Sequence, residues 1–315
     1  VGGGTCGCHR RARSPVTEKG FKMMLQCKFA PLRTALVAIA TFGFASAANS
    51  AGGEAIHYDR HNWTYGGVKG QFDPIQLRRG FQVYQEVCAA CHGLERVRFR
   101  NLVEPGGPQF DEEAVKTLAT EWPNQIVDGP NDEGEMFERP AKLSDILKGP
   151  YKNAKEARAA QGGAYPPDLS LMTRARNIHT DAPWYIHVPL MMRDIITGYQ
   201  EGGSDYVYSL LIGYEDEPAD FELSEGMNYN KYFAGHQIAM AQPIPEEGAV
   251  EYQENAGAKM SMKQNAEDVT AFLAWAADPS LNSRKQLGWS VLIYLLITTL
   301  LLYFAKKRIW KRIKH

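Results

Sequence analysis

The residues best suited to chemistry in this sequence are two cysteines three positions apart, Cys88 and Cys91, followed at once by His92. This Cys-x-x-Cys-His spacing is typical of covalent haem c attachment, because each thiol can form a thioether to a haem vinyl group beside an iron-binding imidazole. A zinc site would need a second Cys/His pair, which does not follow downstream. A thioredoxin-like redox pair would lie in a βαβ pattern, which we do not find. The motif therefore predicts one covalent haem, and a haem held in this way usually transfers electrons.

An electron carrier benefits from a second iron ligand, and methionine opposite histidine raises the reduction potential. Met240 is the best candidate from local features, because it ends the apolar stretch YFAGHQIAM and precedes the segment AQPIP. Pro243 and Pro245 in that segment cannot continue a helix, so a stiff loop could present the methionine side chain. His236 and His187 are rival ligands, although each is more simply a surface or core histidine.

Helices are predicted on both sides of a loop-rich centre. One begins at Asp73, a helix N-cap, and its apolar positions keep helical spacing up to the cysteine motif, which closes it. Gly80 within it would allow another element to approach closely. A second helix is predicted from near Asn265 to Asp278 and a third over Asp205–Tyr214. Because the rest is rich in Gly, Pro, Asn and Asp, the predicted fold is mainly α, with a few helices and long loops around the cofactor.

The N-terminal region has the order of a secretory signal peptide. Lys28 and Arg33 precede an apolar run, and small residues follow it at Ala45–Ala47. This run of about ten apolar residues is too short to span a bilayer. We therefore predict an upstream extension over residues 1–22 and a signal peptide over 23–51, cleaved between 47 and 51; an Arg-rich mitochondrial presequence is the alternative. Cleavage would remove the cysteines outside the haem motif, namely Cys6, Cys8 and Cys27.

The C-terminal region predicts a single membrane anchor. Residues 287–305 contain no charged side chain, and a helix of that length would be ~28 Å long, close to the hydrocarbon thickness of a bilayer. The tail, residues 306–315, is basic, and positive charge stays on the cytoplasmic side. The predicted topology therefore places the haem domain, residues 52–286, in the periplasm.

The predicted haem domain is acidic although the whole chain is close to neutral. Residues 52–286 have a formal charge of −13, and the acidic side chains cluster in residues 111–138 and 215–225. An acidic surface attracts basic protein partners and disfavours nucleic acid.

Several separated motifs resemble those of the cytochrome c1 family, the haem-bearing subunits of ubiquinol–cytochrome c oxidoreductase (cytochrome bc1) complexes. The resemblance runs from about Tyr65 to the C-terminus. Its motifs are RRGFQVYQEVCAACHGL, AYPPDLSLMTRAR, DYVYSLLIGY, NYNKYFAGHQIAMAQPI and EDVTAFLAWAADP, followed by a single anchor with a basic tail. The cysteine motif alone is shared by many c-type cytochromes, whereas PPDLS and IAM in this order before a terminal anchor are specific.

The resemblance implies a class I cytochrome c-like haem domain with one haem c and one C-terminal transmembrane helix. It implies that Met240 binds the iron opposite His92. The other residues that it places at the haem are Arg176 and Tyr206 near the propionates, and Pro166 and Pro167 on the His92 side.

Residues 177–200 resemble an insertion relative to the shorter mitochondrial family members. Together with the simple signal peptide, this favours a bacterial protein of the inner or intracytoplasmic membrane, with the mitochondrial inner membrane as the alternative. Some bacterial relatives brace this region with a disulfide, for which the processed chain would have no cysteines.

The resemblance further implies an electron-transfer subunit of a respiratory or photosynthetic chain. Its haem iron would accept electrons from the Rieske iron–sulfur protein and pass them to a soluble, basic cytochrome c or c2, in a dimeric complex with cytochrome b. No catalytic site of its own is expected. The alternatives are a free-standing anchored cytochrome c serving an oxidase or a reaction centre, and a haem peroxidase or gas sensor with an open iron site.

Overall fold

The computed structural model describes residues 56, 58–176, 183–245, 250–252 and 261–311. The predicted upstream extension and signal peptide, with Cys6, Cys8 and Cys27, lie outside the described residues. So do residues 177–182 of the predicted insertion and residues 312–315 of the basic tail.

The described part of the chain is mainly helical, as predicted. Its α-helices are α1 (Pro74–Glu86), α2 (Glu112–Thr120), α3 (Ala154–Ala160), α4 (Met172–Ala175), α5 (Trp184–Thr197), α6 (Gly202–Ile212), α7 (Met262–Ala277) and α8 (Leu281–Trp310). Short 3-10 helices cover Cys88–Ala90 and Phe99–Leu102.

Strands are short and occur within the described residues as three two-stranded antiparallel sheets. They pair β1 (Leu94–Arg98) with β4 (Ile146–Leu147), β2 (Ile126–Asp128) with β3 (Phe137–Arg139), and β5 (Asn228–Tyr229) with β6 (Gln237–Ile238). Each sheet connects two loop segments, and the three sheets do not form a layer of their own.

Helix α1 begins and ends as the sequence predicts. The Asp73 side chain accepts a hydrogen bond from the Ile75 N–H at 3.1 Å, and Pro74 occupies the first helical position, where its missing N–H costs nothing. The helix ends at Glu86 and a 3-10 turn follows directly, so the cysteine motif closes the helix.

The centre of the core is the contact between α1 and α7. The Phe272 ring lies 5.5 Å from the Phe81 ring and 5.8 Å from the Tyr84 ring, measured between centroids. Helix α7 starts at Met262, earlier than the predicted start near Asn265, because the Ser261 side chain caps it by accepting a hydrogen bond from the Gln264 N–H. Its end at Asp278 is as predicted.

A buried ion pair joins the same two helices. Asp268 of α7 is fully buried, and its carboxylate accepts hydrogen bonds from Arg79 Nε at 2.8 Å and Nη2 at 3.1 Å. Tyr252 Oη donates to the same carboxylate at 2.8 Å, and Gln264 Nε2 does so at 3.1 Å. Burial disfavours the charged form of Arg79, but the hydrogen bond to Asp268 and the negative charge of Asp268 together outweigh this effect, so the pKa of Arg79 is raised.

The close approach predicted at Gly80 is present. A Cβ atom at this position would lie 2.0 Å from the Asp268 carbonyl oxygen, which is backbone and cannot turn aside. Gly80→Ala should therefore force α1 and α7 apart and lower the free energy of unfolding by roughly 3 kcal/mol, the upper end of common overpacking penalties. Chemical denaturation measures this loss. Gln85→Ala, at an exposed position of the same helix, is the control and should change stability little.

Helix α6 begins before the predicted segment Asp205–Tyr214 and ends at Ile212. Its first turn packs tightly on α4, since a Cβ atom at Gly203 would lie 1.8 Å from the Thr173 carbonyl oxygen. The buried Asp205 carboxylate accepts hydrogen bonds from Trp63 Nε1 at 2.7 Å and from Tyr199 Oη at 2.6 Å. These bonds fix the segments before α1 and after α5 on the body of the domain.

Helix α8 contains the predicted anchor, residues 287–305, and it is long and apolar enough to cross a membrane. Its base is hydrogen-bonded to the domain that precedes it. Lys285 Nζ donates to the carbonyl oxygens of Tyr65 and Gly67, each at 2.6 Å. Asp278, just before the helix, pairs with both Arg174 and Arg284. The mainly α fold with one such C-terminal helix confirms the predicted fold class.

Candidate haem site

The two cysteines of the motif are presented on one tight turn. The backbone N–H groups of Cys91 and His92 both donate to the Cys88 carbonyl oxygen, at 3.1 and 2.8 Å. Both side chains are thiols that are partly accessible to solvent. Burial raises the pKa of the Cys88 thiol to about 12, with a smaller contribution from Cys91. The turn therefore presents both cysteines on one short segment, as attachment to two vinyl groups requires.

The His92 ring has a defined tautomer. Its Nδ1 lies 2.7 Å from the Pro167 carbonyl oxygen, and a carbonyl oxygen only accepts, so Nδ1 carries the proton and Nε2 presents a lone pair. Burial lowers the pKa of His92, while the hydrogen bond to Pro167 and the charge of Asp168 oppose the shift. The result is a neutral, oriented imidazole, which is the form that binds a metal.

The segment that carries Pro167 is fastened beside the cysteine motif. One carboxylate oxygen of Asp168 accepts from the Glu95 N–H at 2.7 Å, and the other accepts from the Ser170 N–H at 3.0 Å. The Ser170 hydroxyl accepts from the Arg96 N–H at 3.0 Å. These bonds set the position of the Pro167 carbonyl and, through it, the orientation of the imidazole.

In this segment, the sequence predicted a role at the haem only for Pro166 and Pro167. Pro167 stands at the His92 side through its carbonyl group, and Pro166 is half-buried next to it; whether their rings pack on haem stays a prediction. It missed Asp168 and Ser170. The available signal was an Asp two residues before a Ser, since Asp side chains commonly bond the backbone N–H two residues ahead.

Asp168→Ala should loosen this support. The substitution removes two hydrogen bonds to an ionised carboxylate, so we expect the free energy of unfolding to fall by about 1.5–3 kcal/mol. Thermal unfolding of the holoprotein, followed by absorbance of the haem, measures the loss. Glu95→Ala is the matched control: its side chain is exposed and only its backbone N–H bonds Asp168, so its stability should remain near that of the parent protein.

Met240 lies in a non-helical bend just after strand β6, in agreement with the predicted loop. Its carbonyl oxygen accepts hydrogen bonds from Tyr214 Oη at 3.0 Å and Asn228 Nδ2 at 3.4 Å. The backbone at Met240 is thus tied to the end of α6 and to the β5–β6 hairpin, while the half-buried thioether makes none of these bonds. That arrangement suits an axial ligand, the role that stays predicted for Met240.

His236 and His187, the alternative candidates for the second iron ligand, do not share the surroundings of Met240. The His236 ring stacks on Tyr229 with centroids 5.6 Å apart, and its Nδ1 lies 3.3 Å from the Asn230 carbonyl oxygen. His187 is exposed on α5. Among the described residues, no group of three or more His, Cys, Asp or Glu side chains could hold a metal ion.

The two residues expected at the propionates interact electrostatically. Burial raises the pKa of Tyr206, and the positive charge of Arg176 opposes that shift. Tyr58, which the sequence interpretation did not single out, packs on Tyr206 with centroids 5.7 Å apart and donates through Oη to the Tyr232 carbonyl oxygen at 2.6 Å. Nothing in the sequence around Tyr58 indicates this position, because its partners Tyr206 and Tyr232 lie far away in the chain.

These residues fit a c-type haem by the chemistry of their donors. Two thiols share one turn, a neutral imidazole presents Nε2, a tethered thioether is available, and a guanidinium beside a tyrosine can bind carboxylates. An electron-transfer cofactor with two vinyl groups, one iron and two propionates uses all of them.

Comparison with known proteins supports the same cofactor. The family model described as the Cytochrome C1 family matches residues 63–313. Cytochrome c1 of Blastochloris viridis is 43% identical over 276 residues, covering 87% of this chain and 94% of that protein. The mitochondrial cytochrome c1 haem protein of Schizosaccharomyces pombe is 42% identical over 262 residues, covering 83% and 75%. Cytochrome b/c1 of Bradyrhizobium diazoefficiens is 45% identical over 251 residues, 79% of this chain, and the chain spans 35% of its length.

Proposed function

Because this chain belongs to the cytochrome c1 family, whose members carry one covalently bound haem c for electron transfer, we propose that it is the haem c subunit of a cytochrome bc1 complex. In that complex it takes electrons from the Rieske iron–sulfur protein and delivers them to a soluble cytochrome c. The observation that carries the proposal is the hydrogen bond from His92 Nδ1 to the Pro167 carbonyl oxygen, which orients the imidazole beside the two cysteines so that its Nε2 could bind a haem iron.

The chain's own residues have defined tasks in this proposal. Haem supplies a reversible one-electron couple. Cys88 and Cys91 would attach the cofactor covalently, and His92 and Met240 would be the iron ligands, each tied to hydrogen-bonded backbone. Because the His92 ring and the Met240 backbone are both held by hydrogen bonds, these two residues would move little when an electron is gained or lost. Arg176 would offset the negative charge of the propionates, and the neutral phenol of Tyr206 would lie near them.

The proposed setting is a membrane with the haem domain on its periplasmic side. A signal peptide over residues 23–51 would export the domain, α8 would anchor it, and the basic tail would stay in the cytoplasm. The simplest assignment is the inner or intracytoplasmic membrane of a bacterium, in a respiratory or photosynthetic chain. The acidic residues of the domain would attract a basic cytochrome c and speed its association.

Cytochrome b and the Rieske protein are the proposed permanent partners, in a dimeric complex. Support comes from relatives: one is named for both cytochrome b and cytochrome c1, and another, from Candida albicans, is named a catalytic subunit of the cytochrome b-c1 complex. The free-standing anchored cytochrome is the competing proposal, and it would have no cytochrome b partner.

Purification in mild detergent separates these two proposals. The bc1 assignment predicts that a b-type cytochrome and an iron–sulfur protein co-purify with the chain, and that quinol reduces the haem c only when the iron–sulfur protein is present. Subunits are identified by mass spectrometry and haems by the reduced-minus-oxidised spectrum. A haem c protein that purifies alone, and whose reduction does not depend on the iron–sulfur protein, would contradict the assignment.

A further inference from the structure

Helix α5, in the predicted insertion, exposes an apolar face to solvent. The side chains of this face recur at helical spacing and are largely exposed: Tyr185 (61%), Val188 (59%), Met192 (49%), Ile195 (65%) and Ile196 (73%). A helix on the surface of a soluble domain normally turns such residues inward. A contiguous exposed apolar face of this kind marks a binding surface.

The inward side of the same helix carries the polar contacts. Asp194 accepts a hydrogen bond from Arg60 Nη2 at 3.1 Å, and the Arg60 guanidinium lies 3.7 Å from the centre of the Tyr199 ring. Tyr199 Oη in turn donates to the buried Asp205 of α6. These ionic and hydrogen bonds on the inner side of α5 fix the orientation of the helix. Its apolar face therefore points away from the domain.

The C-terminal end of α5 adjoins the base of the membrane anchor. Gly198, which ends the helix at a φ of +69°, packs so closely on Val68 that an added Cβ would lie 2.9 Å from the Val68 backbone nitrogen. The neighbouring Gly67 carbonyl oxygen accepts from Lys285 Nζ at 2.6 Å, at the base of α8. On the other side of Val68, Lys69 Nζ lies 5.9 Å from the centre of the Trp289 ring. The loop of residues 67–69 thus contacts both the end of α5 and the part of α8 where its apolar segment begins.

We propose that α5 is an interfacial helix whose apolar face lies in the headgroup region of a phospholipid bilayer beside the anchor. The occupant is lipid because the face is continuous with the anchor: exposed Val68 lies between the end of α5 and the first apolar turn of α8. Aromatic and aliphatic side chains with few charges are what an interfacial helix buries, to a depth of roughly 5–10 Å. Arg193 lies off the apolar face and pairs with Asp194 at 3.0 Å, so it places no charge in that face.

This second contact goes beyond the electron-transfer function, since an anchor of one helix does not by itself fix the tilt of its domain. Helix α5 leads within a few residues into α6, which carries Tyr206. A bilayer contact through α5 therefore sets the tilt of the haem domain relative to the membrane.

Spin-label accessibility tests the proposal on the full-length holoprotein in nanodiscs of phosphatidylcholine and phosphatidylglycerol. Cys88 and Cys91 are consumed by the haem thioethers, so Ile196→Cys can be labelled singly once Cys6, Cys8 and Cys27 are replaced by Ser. The matched control is Lys155→Cys on α3, an exposed helix position of the haem domain. We expect the label at 196 to be several-fold more accessible to oxygen and several-fold less accessible to a water-soluble nickel chelate than the label at 155.

Two outcomes would overturn the proposal. A label at 196 that is as accessible to nickel as the control would show that the face is in water. A label shielded from both reagents would show that protein, such as a second copy of the chain, covers the face. An unchanged haem spectrum confirms that each variant is folded, and because the measurement does not use electron transfer, its result is independent of the bc1 assignment.

Discussion

Met240→Leu should lower the midpoint potential of the haem by roughly 0.2–0.3 V, a sizeable part of the ~0.8 V range over which axial ligands set haem potentials. A thioether favours the ferrous state and so raises the potential, whereas leucine offers no donor atom. The fold should persist, because the hydrogen bonds from Tyr214 and Asn228 go to the backbone at position 240 and do not use the side chain. Redox titration measures the shift, and carbon monoxide should bind the ferrous variant rapidly.

The control for this experiment is Met227→Leu. Met227 is 39% exposed and immediately precedes β5, so it belongs to the same hairpin without being in the predicted ligand position. Its potential should match that of the parent protein. An unchanged potential in Met240→Leu, or a shift of equal size in Met227→Leu, would remove Met240 from the iron and revive the hypothesis of an open or histidine-ligated site.

Asp268→Ala should have the largest effect on stability, lowering the free energy of unfolding by about 3–5 kcal/mol. Removing this carboxylate leaves the mostly buried guanidinium of Arg79 without its counter-charge and deprives Tyr252 and Gln264 of their acceptor. Arg79 belongs to α1, the helix that ends at the cysteines. The native absorbance of the haem should therefore disappear in the same transition as the helical structure. Denaturant unfolding followed by both far-UV circular dichroism and haem absorbance measures the effect.

An exposed ion pair provides the matched control for that substitution. Glu112 lies 3.0 Å from Lys116 Nζ across one turn of α2, and both side chains are about half exposed. Such pairs contribute roughly 0.3–0.5 kcal/mol, so Glu112→Ala should change stability by less than 1 kcal/mol. If Asp268→Ala cost no more than Glu112→Ala, the pair between α1 and α7 would not hold the core together.

Local chemistry made parts of this structure predictable from sequence. The cap at Asp73, the close approach at Gly80 and the end of α7 at Asp278 each depend on one residue and its neighbours. The early start of α7 was missed because Ser261 is an equally good cap that lies before the predicted boundary.

The support of the site could not be predicted in the same way. The bond from His92 to Pro167 spans 75 positions of the chain, and only the fold brings its partners together. Helix α5 also escaped prediction. Its apolar residues follow the helical period, but Pro189 lies inside it and the apolar face points away from the domain. A pattern of apolar residues predicts that a face will be covered without saying whether protein or lipid covers it.

The most direct test of the account is near-infrared magnetic circular dichroism of the oxidised, full-length holoprotein. We expect the charge-transfer band of low-spin ferric haem with histidine and methionine ligands, and we expect this band to be lost in Met240→Leu and kept in Met227→Leu. A high-spin spectrum, or the band position of two nitrogen ligands, in the parent protein would contradict the proposed pairing of His92 with Met240.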